Sequence, residues 1–203
     1  TKEYDYSQLN PNMIYAAYNL ELGSEDAYNR VLDGEHRDTV KQAFNAMIQS
    51  STALKTKPEN IDLDPLGMTW RDLRQAVLDS HKPIQHLFFT GLGNRLQFED
   101  SSIAESIMLQ FASIDAPALP IHDSFIMHHG YASELEESMR RTFYDRFGQD
   151  IEVKPGLIKE VKPKDIDPNN IEWDDTSIEA ILEGDKEYSQ WQDRDALWLS
   201  RKK

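Results

Sequence analysis

Leu119-Pro120-Ile121-His122-Asp123-Ser124-Phe125-Ile126 is an apolar run interrupted by one histidine and one acid. Its flanks, Leu119, Ile121, Phe125 and Ile126, predict a buried β-segment with Asp123 in its middle or at its turn. A carboxylate taken out of water costs several kcal/mol unless it is paired, hydrogen-bonded or bound to a metal. A second acid has a similar setting near the start, in Tyr4-Asp5-Tyr6-Ser7-Gln8-Leu9. Acids on two short strands can hold the divalent cations, about 3.5–4 Å apart, that phosphoryl transfer uses. From these residues alone two accounts stay open. Asp5 and Asp123 are metal ligands, or one is a terminal acid and the other a turn residue without chemical role.

Composition narrows the classes. The chain has 203 residues, with 22 Lys and Arg against 36 Asp and Glu, a net charge of −14. That length supports one domain, or one domain plus a tail. The absence of cysteine excludes disulfides and Cys-ligated zinc or iron–sulfur sites, and fits a cytoplasmic location. No stretch approaches the roughly 18 apolar residues of a membrane span, and no signal-peptide pattern opens the chain, so no membrane partner is expected. The negative charge counts against a general nucleic-acid binder, because phosphates are gripped by Lys and Arg. Part of the acidic excess lies in the tail, from Asp165 to Glu187.

Periodicity predicts an α+β chain. Helical spacing runs over Asn12 to Leu22, followed by a stop and a new N-cap at Gly23 to Asp26. A second helix spans Glu35 to Ser51, with Val40, Phe44, Met47 and Ile48 on one face and Arg37 and Lys41 on one side. By itself such a charged pair reads as a solvated helix face. Thr69 caps a helix over Trp70 to Asp79, and Lys82-Pro83 opens another through Phe89. Gly91 and Gly93 mark a break before Ser101 to Ala112, where Glu105 reads as solvated or as approaching the acids. The last helix covers Ala132 to Phe147, stopped by Gly148. Strands follow over Ile151 to Val153 and Leu157 to Val161. The expected division is 1–161 as the core and 162–203 as an acidic extension anchored by Trp173, Trp191 and Trp198.

Three of these segments share a likeness. Asp5-Tyr6-Ser7-Gln8-Leu9 resembles motif A of the family A DNA polymerases. The run from Arg37 through Lys41 to Ile48 resembles motif B, their fingers helix, with Arg and Lys four apart. Ile121-His122-Asp123-Ser124-Phe125 resembles motif C, with a serine after the acid as in phage-type single-subunit RNA polymerases. The three come in the family's order, and the likeness covers roughly Tyr4 to Lys159.

The resemblance implies a polymerase-like palm, a small antiparallel sheet backed by helices, with reduced fingers helices. It implies a template-directed nucleotidyltransferase that adds nucleotides to a 3′-hydroxyl by a two-metal mechanism. Asp5 and Asp123 become the catalytic ligands of two Mg²⁺ (or Mn²⁺) ions. Arg37 and Lys41 become contacts to the nucleotide's phosphates, Ser7 and Gln8 part of its pocket, and His122 a neighbour of the primer end. The implied partners are a DNA template–primer and dNTP or NTP. Because the family places its thumb upstream of motif A, an upstream domain or partner subunit is also implied.

The chain departs from the pattern at several places. Asn10 stands where the DNA polymerases carry a glutamate that gates against ribose, and Asn45 where motif B has an aromatic. Gln49-Ser50 replace a Tyr-Gly pair, and Ser124 a second acid. The shorter Asn10 leaves more room at the ribose 2′ position. These departures keep other readings alive: a catalytically degenerate palm serving binding in a replication assembly, a single-subunit RNA polymerase or primase-type enzyme, and a metal-dependent nuclease.

Overall fold

The computed structural model describes residues 1–156, 186, 189–190 and 192–200. They fall into two compact units, Thr1–His128 with Ala132–Gly156, and His129–Tyr131 with the described part of 157–203. The expected boundary at 161, the strand expected over 157–161, and Trp173 and Trp191 lie outside the described residues.

The first unit is α+β. Its antiparallel sheet has strands β1 (Lys2–Tyr6), β2 (Leu119–Ile121), β3 (Ser124–Met127) and β4 (Val153–Pro155) in the order β2-β3-β1-β4. The registers pair Asp5 with Ser124 and with Lys154, and Ile121 with Ser124. Residues opposite each other share a face of the sheet, as do alternate residues of one strand. One face therefore carries Leu119, Ile121, Ser124, Ile126, Glu3, Asp5 and Lys154. The other carries Tyr6, Phe125, Met127 and Val153, all buried.

That buried face is backed by helices. Among the described residues of this unit α5 (Ala132–Phe147) packs on β1 and β4 and α4 (Gly93–Ala112) reaches β2, while α1 (Leu9–Ala17), α2 (Arg37–Gln49) and α3 (Trp70–Ser80) pack around these helices. The Tyr6 hydroxyl donates to the Met139 carbonyl of α5 at 2.7 Å, and its ring lies 6.3 Å from Phe143. In α2 the buried residues are Val40, Ala43, Phe44, Met47 and Ile48, the i, i+3, i+4, i+7, i+8 stripe that the sequence shows. Thr69 caps α3 by accepting from the Asp72 N–H at 3.3 Å.

Besides the helix expected through Phe89, which is a 3-10 helix over Lys82–Leu87, the structure differs from expectation at four elements. The first helix starts at Leu9 and ends at Ala17, because Pro11 fits its first turn, where no N–H is needed. Helix α4 begins at Gly93 rather than Ser101. A Cβ on Gly93 would stand 2.9 Å from the Gln49 Cα, so the glycine permits close packing on the end of α2 instead of breaking the helix. The last strand of the unit is Val153–Pro155, displaced from Ile151–Val153.

The fourth difference is burial. Phe125 is buried, but Leu119 and Ile121 are 59% and 47% exposed. They stand on the edge strand and on the face opposite the helices. Pro120 lies between them, on the kind of strand where a missing N–H breaks no rung of the ladder.

Against α1 and α2 lies a buried histidine. His81 is fully buried, its Nδ1 3.0 Å from the Tyr15 hydroxyl and its Nε2 3.1 Å from the Ala27 carbonyl. The carbonyl only accepts, so Nε2 carries the proton and Nδ1 accepts from Tyr15. Phe44 packs edge-on at 5.0 Å. Burial, and then the Arg30 charge, push the imidazole down to about 4. The second unit, taken by itself, has residues 192–200 in helix, with Trp198 edge-on to Tyr131 at 6.4 Å and Asp195 within 2.5 Å of His129 Nε2.

The depressed His81 pKa makes stability pH-dependent. The unfolded chain takes up this proton near pH 6.5 and the folded one only near 4. The group's contribution is complete above pH 6.5 and is lost as pH falls towards 4, on the order of 3 kcal/mol in all. Urea unfolding at pH 7 and pH 4.5 should show this loss in the wild type, and a much smaller one in His81→Phe.

Candidate functional site

The site forms where β1 ends. The Tyr6 N–H donates to the Asp123 carbonyl at 3.1 Å, and the Ser7 N–H to the Glu152 carbonyl at 2.9 Å. Asp123 and His122 are the turn between β2 and β3, with His122 at a left-handed φ of 54°. Because Asp5 pairs with Ser124, the turn that carries Asp123 is brought beside Asp5 at one end of the sheet. After Ser7 the chain turns through Gln8 (φ 54°) into α1, and the Asn12 side chain donates to the Ser7 and Gln8 carbonyls at 2.9 and 3.0 Å.

The open end of the sheet borders a cleft of about 430 Å³. The strand ends line it with Asp5, Tyr6, Ser7, His122, Asp123 and Lys154. Gln8, Leu9 and Asn10 come from the start of α1, Arg37, Lys41 and Asn45 from α2, Tyr28 from the intervening loop, and Asp100 from α4. Arg37, Lys41 and Asn45 are one row of α2, at i, i+4 and i+8, beside the buried stripe. All nine residues singled out in the sequence thus border one cleft. Glu105 does not, being exposed on α4.

Acids dominate the electrostatics. Burial, and then the Asp123 charge, push Asp5 up to about 6 against the opposing pull of Lys41 and Lys154. Burial and Asp123 also raise Asp100, which His122 opposes. Asp5 Oδ1 is buried and makes no hydrogen bond among the described residues. A carboxylate oxygen with no donor, in the field of a second carboxylate, could take a hard divalent cation, which prefers oxygen ligands. The donor set suits Mg²⁺ or Mn²⁺ better than softer ions.

The cations are placed unequally. Arg37 donates through Nε and Nη2 to Asp26 Oδ2 at 3.1 and 2.8 Å, and its guanidinium lies 5.2 Å from the centre of the Tyr28 ring. Asp26 Oδ1 accepts from the N–H groups of Tyr28 and Asn29 at 2.9 and 3.1 Å. Burial raises Asp26, but the bonds from Arg37 and these two amides win, and its pKa is lowered. Gln8 Oε1 accepts from the Ala27 N–H at 2.5 Å. Gln8 and Arg37 therefore hold the 26–29 loop from its two sides, while Lys41 is exposed to the cleft. Lys154 lies 3.0 Å from Glu152.

Four residues of this region escape sequence reasoning: Asp26, Tyr28, Asp100 and Lys154. Asp100 falls in the part of α4 that the glycines disguise. Lys154 depends on where β4 starts, and Asp26 reads simply as a cap. A larger open groove of about 700 Å³ runs along the outer face of α5, past Glu136, Arg140, Arg141 and Tyr144. Its charges are solvated helix pairs such as Arg140–Glu136 at 3.0 Å. No protein-family model, curated protein or solved structure matches this chain.

Asp5 gives a stability test independent of any reaction. Its folded pKa is raised above the ordinary carboxylate value of 3.8, so its favourable contribution is full below pH 3.8 and is lost as pH rises through about 6. At pH 7.5 Asp5→Asn should therefore melt at a higher temperature than the wild type, and at pH 4 the gap should close. A variant that melts lower at both pH values would show that Asp5 serves the fold.

Proposed function

We propose that this chain is the catalytic core of a template-directed nucleotidyltransferase, acting on a nucleic-acid 3′-end and a nucleoside triphosphate. The observation that carries this reading is the cleft in which Asp5, with its orphaned buried Oδ1, stands beside Asp123 and across from Lys41. The likeness to the three polymerase motifs supports it from the sequence side. In the reaction the 3′-oxygen bonds to the α-phosphorus, the bond from that phosphorus to the bridging oxygen breaks, and pyrophosphate leaves. The hydroxyl proton passes to solvent.

Asp5 and Asp123 would hold the divalent cations. Bound there, such ions lower the pKa of the attacking hydroxyl and offset charge on the leaving pyrophosphate. Lys41 attracts the triphosphate as a point charge, and Lys154 adds positive field beside Asp5. Arg37 acts by fixing the 26–29 loop, through Asp26 and Tyr28. On this reading His122, on the Asp123 turn, neighbours the primer end, and Ser7 and Gln8 shape the strand–helix corner of the nucleotide pocket.

A second reading, a non-catalytic palm that only binds, is favoured by one observation. The Arg37 guanidinium already gives two of its donors, and much of its charge, to Asp26. Extension of a labelled primer–template by the full protein, with dNTPs and NTPs in Mg²⁺ or Mn²⁺, separates the two. The transferase reading expects extension that falls roughly 10³-fold in Asp5→Asn and in Asp123→Asn. It expects a nucleotide KM about 10-fold higher in Lys41→Ala with the melting temperature unchanged. Template binding without extension in either metal would favour the binding module.

A further inference from the structure

Glu3 stands two residues before Asp5 on β1, on the same open face of the sheet. Strand geometry puts their Cα atoms about 7 Å apart. Across the ladder Asp5 pairs with Ser124, and the Ser124 hydroxyl lies 2.8 Å from Glu3 Oε1. The Glu3 carboxylate therefore leans along its strand towards the rung that Asp5 occupies. Ser124 is only 5% exposed, so the hydroxyl that meets Glu3 is fixed from within the fold. Its other acceptor is the Ile121 carbonyl, at 2.9 Å.

The stem of Glu3 is held as closely. Gly156 donates its N–H to the Glu3 carbonyl at 2.7 Å. A Cβ on Gly156 would stand 2.7, 2.8 and 2.9 Å from Glu3 Cγ, Cβ and Cδ, so any other residue there would displace the Glu3 side chain. Glu3 is half-buried, and among the described residues no Lys or Arg pairs with it. Lys154, on the other side of Asp5, is drawn to Glu152 at 3.0 Å.

These contacts leave three carboxylates short of positive charge. After burial and the Asp123 charge, the Glu3 charge adds to what raises Asp5. Asp5 Oδ1 is buried and has no donor among the described residues. Like charges so gathered repel one another, and a cation among them relieves all three. Mg²⁺ and Mn²⁺ keep waters in their coordination, so a carboxylate can serve such an ion without touching it.

We infer that Glu3 is a third carboxylate of the cation site, a positioning residue held by Ser124 and Gly156 that acts on the ion through its field and its waters. The transferase reading enters only through the presence of a divalent cation at Asp5 and Asp123, on which this assignment rests.

The test is equilibrium binding of Mn²⁺ alone by the full protein at pH 7.5, read from water-proton relaxation. The wild type should bind, and Asp5→Asn should lose most of that binding. Glu3→Gln should bind about 10-fold more weakly, because glutamine keeps the acceptor for Ser124 and removes only the charge. Ser124→Ala keeps the charge but frees it to move, so its loss should be smaller, about 3-fold. Melting without metal separates this role from a structural one. Glu3→Gln should melt no lower than the wild type, since a charge that repels Asp5 is gone. No loss of affinity in either variant, a loss in Glu3→Gln that comes with a lower metal-free melting temperature, or a wild type that binds no Mn²⁺ overturns the inference. Binding that is lost in Asp5→Asn and unchanged in Glu3→Gln sinks it and leaves the transferase reading standing. Weaker binding in Glu3→Gln, with no primer extension by the wild type in either metal, does the reverse.

Discussion

The pairing of β1 with β3 is the constraint on which the site depends. Asp5 and Asp123 are far apart in the chain, and only the register that sets Asp5 opposite Ser124 brings the β2–β3 turn beside the end of β1. A slip of one residue in β1 would move Asp5 to the helix-covered face, beside Phe125 and Val153, where an unpaired carboxylate is far more costly, and would turn Tyr6 out. The register is held from both sides. Phe125 and Tyr6 must stay inside, and the Tyr6 N–H is tied to the Asp123 carbonyl. The burial of ordinary apolar side chains on one face therefore fixes the position of the acids on the other.

A second layer of control runs through the 26–29 loop. It has no regular secondary structure, yet its backbone is anchored to the corner after β1 by Gln8 and to the first turn of α2 by Arg37. Both anchors come from elements that also border the cleft. Any motion of α2 relative to the sheet must stretch or break one of these bonds, so the loop couples the helix row of Arg37, Lys41 and Asn45 to the strand that carries Asp5.

Much of this was legible in the sequence. The stripe of Val40, Phe44, Met47 and Ile48 announces α2 to within two residues, and Thr69 announces α3, because spacing and capping are local physics. The α+β class followed from periodicity. What escaped was set by contacts between distant segments. The glycine at 93 looks like a break until Gln49 is seen packed against it. Asp26 looks like a cap until Arg37 reaches it from eleven residues away. Leu119 and Ile121 read as core because an apolar run looks the same on an edge as in a centre, and only the sheet order tells them apart.

That edge has a consequence for the company the chain keeps. A strand left open at the rim of a sheet invites other strands to add to it, and two bare apolar side chains strengthen the invitation. Pro120, set between Leu119 and Ile121, withdraws one donor from an incoming ladder and stiffens the backbone around it. Pro120 thus lessens the pull of this edge on a further strand while Leu119 and Ile121 stay exposed. The same proline leaves those two side chains free to be covered sideways, face against face, by something that has no strand to offer.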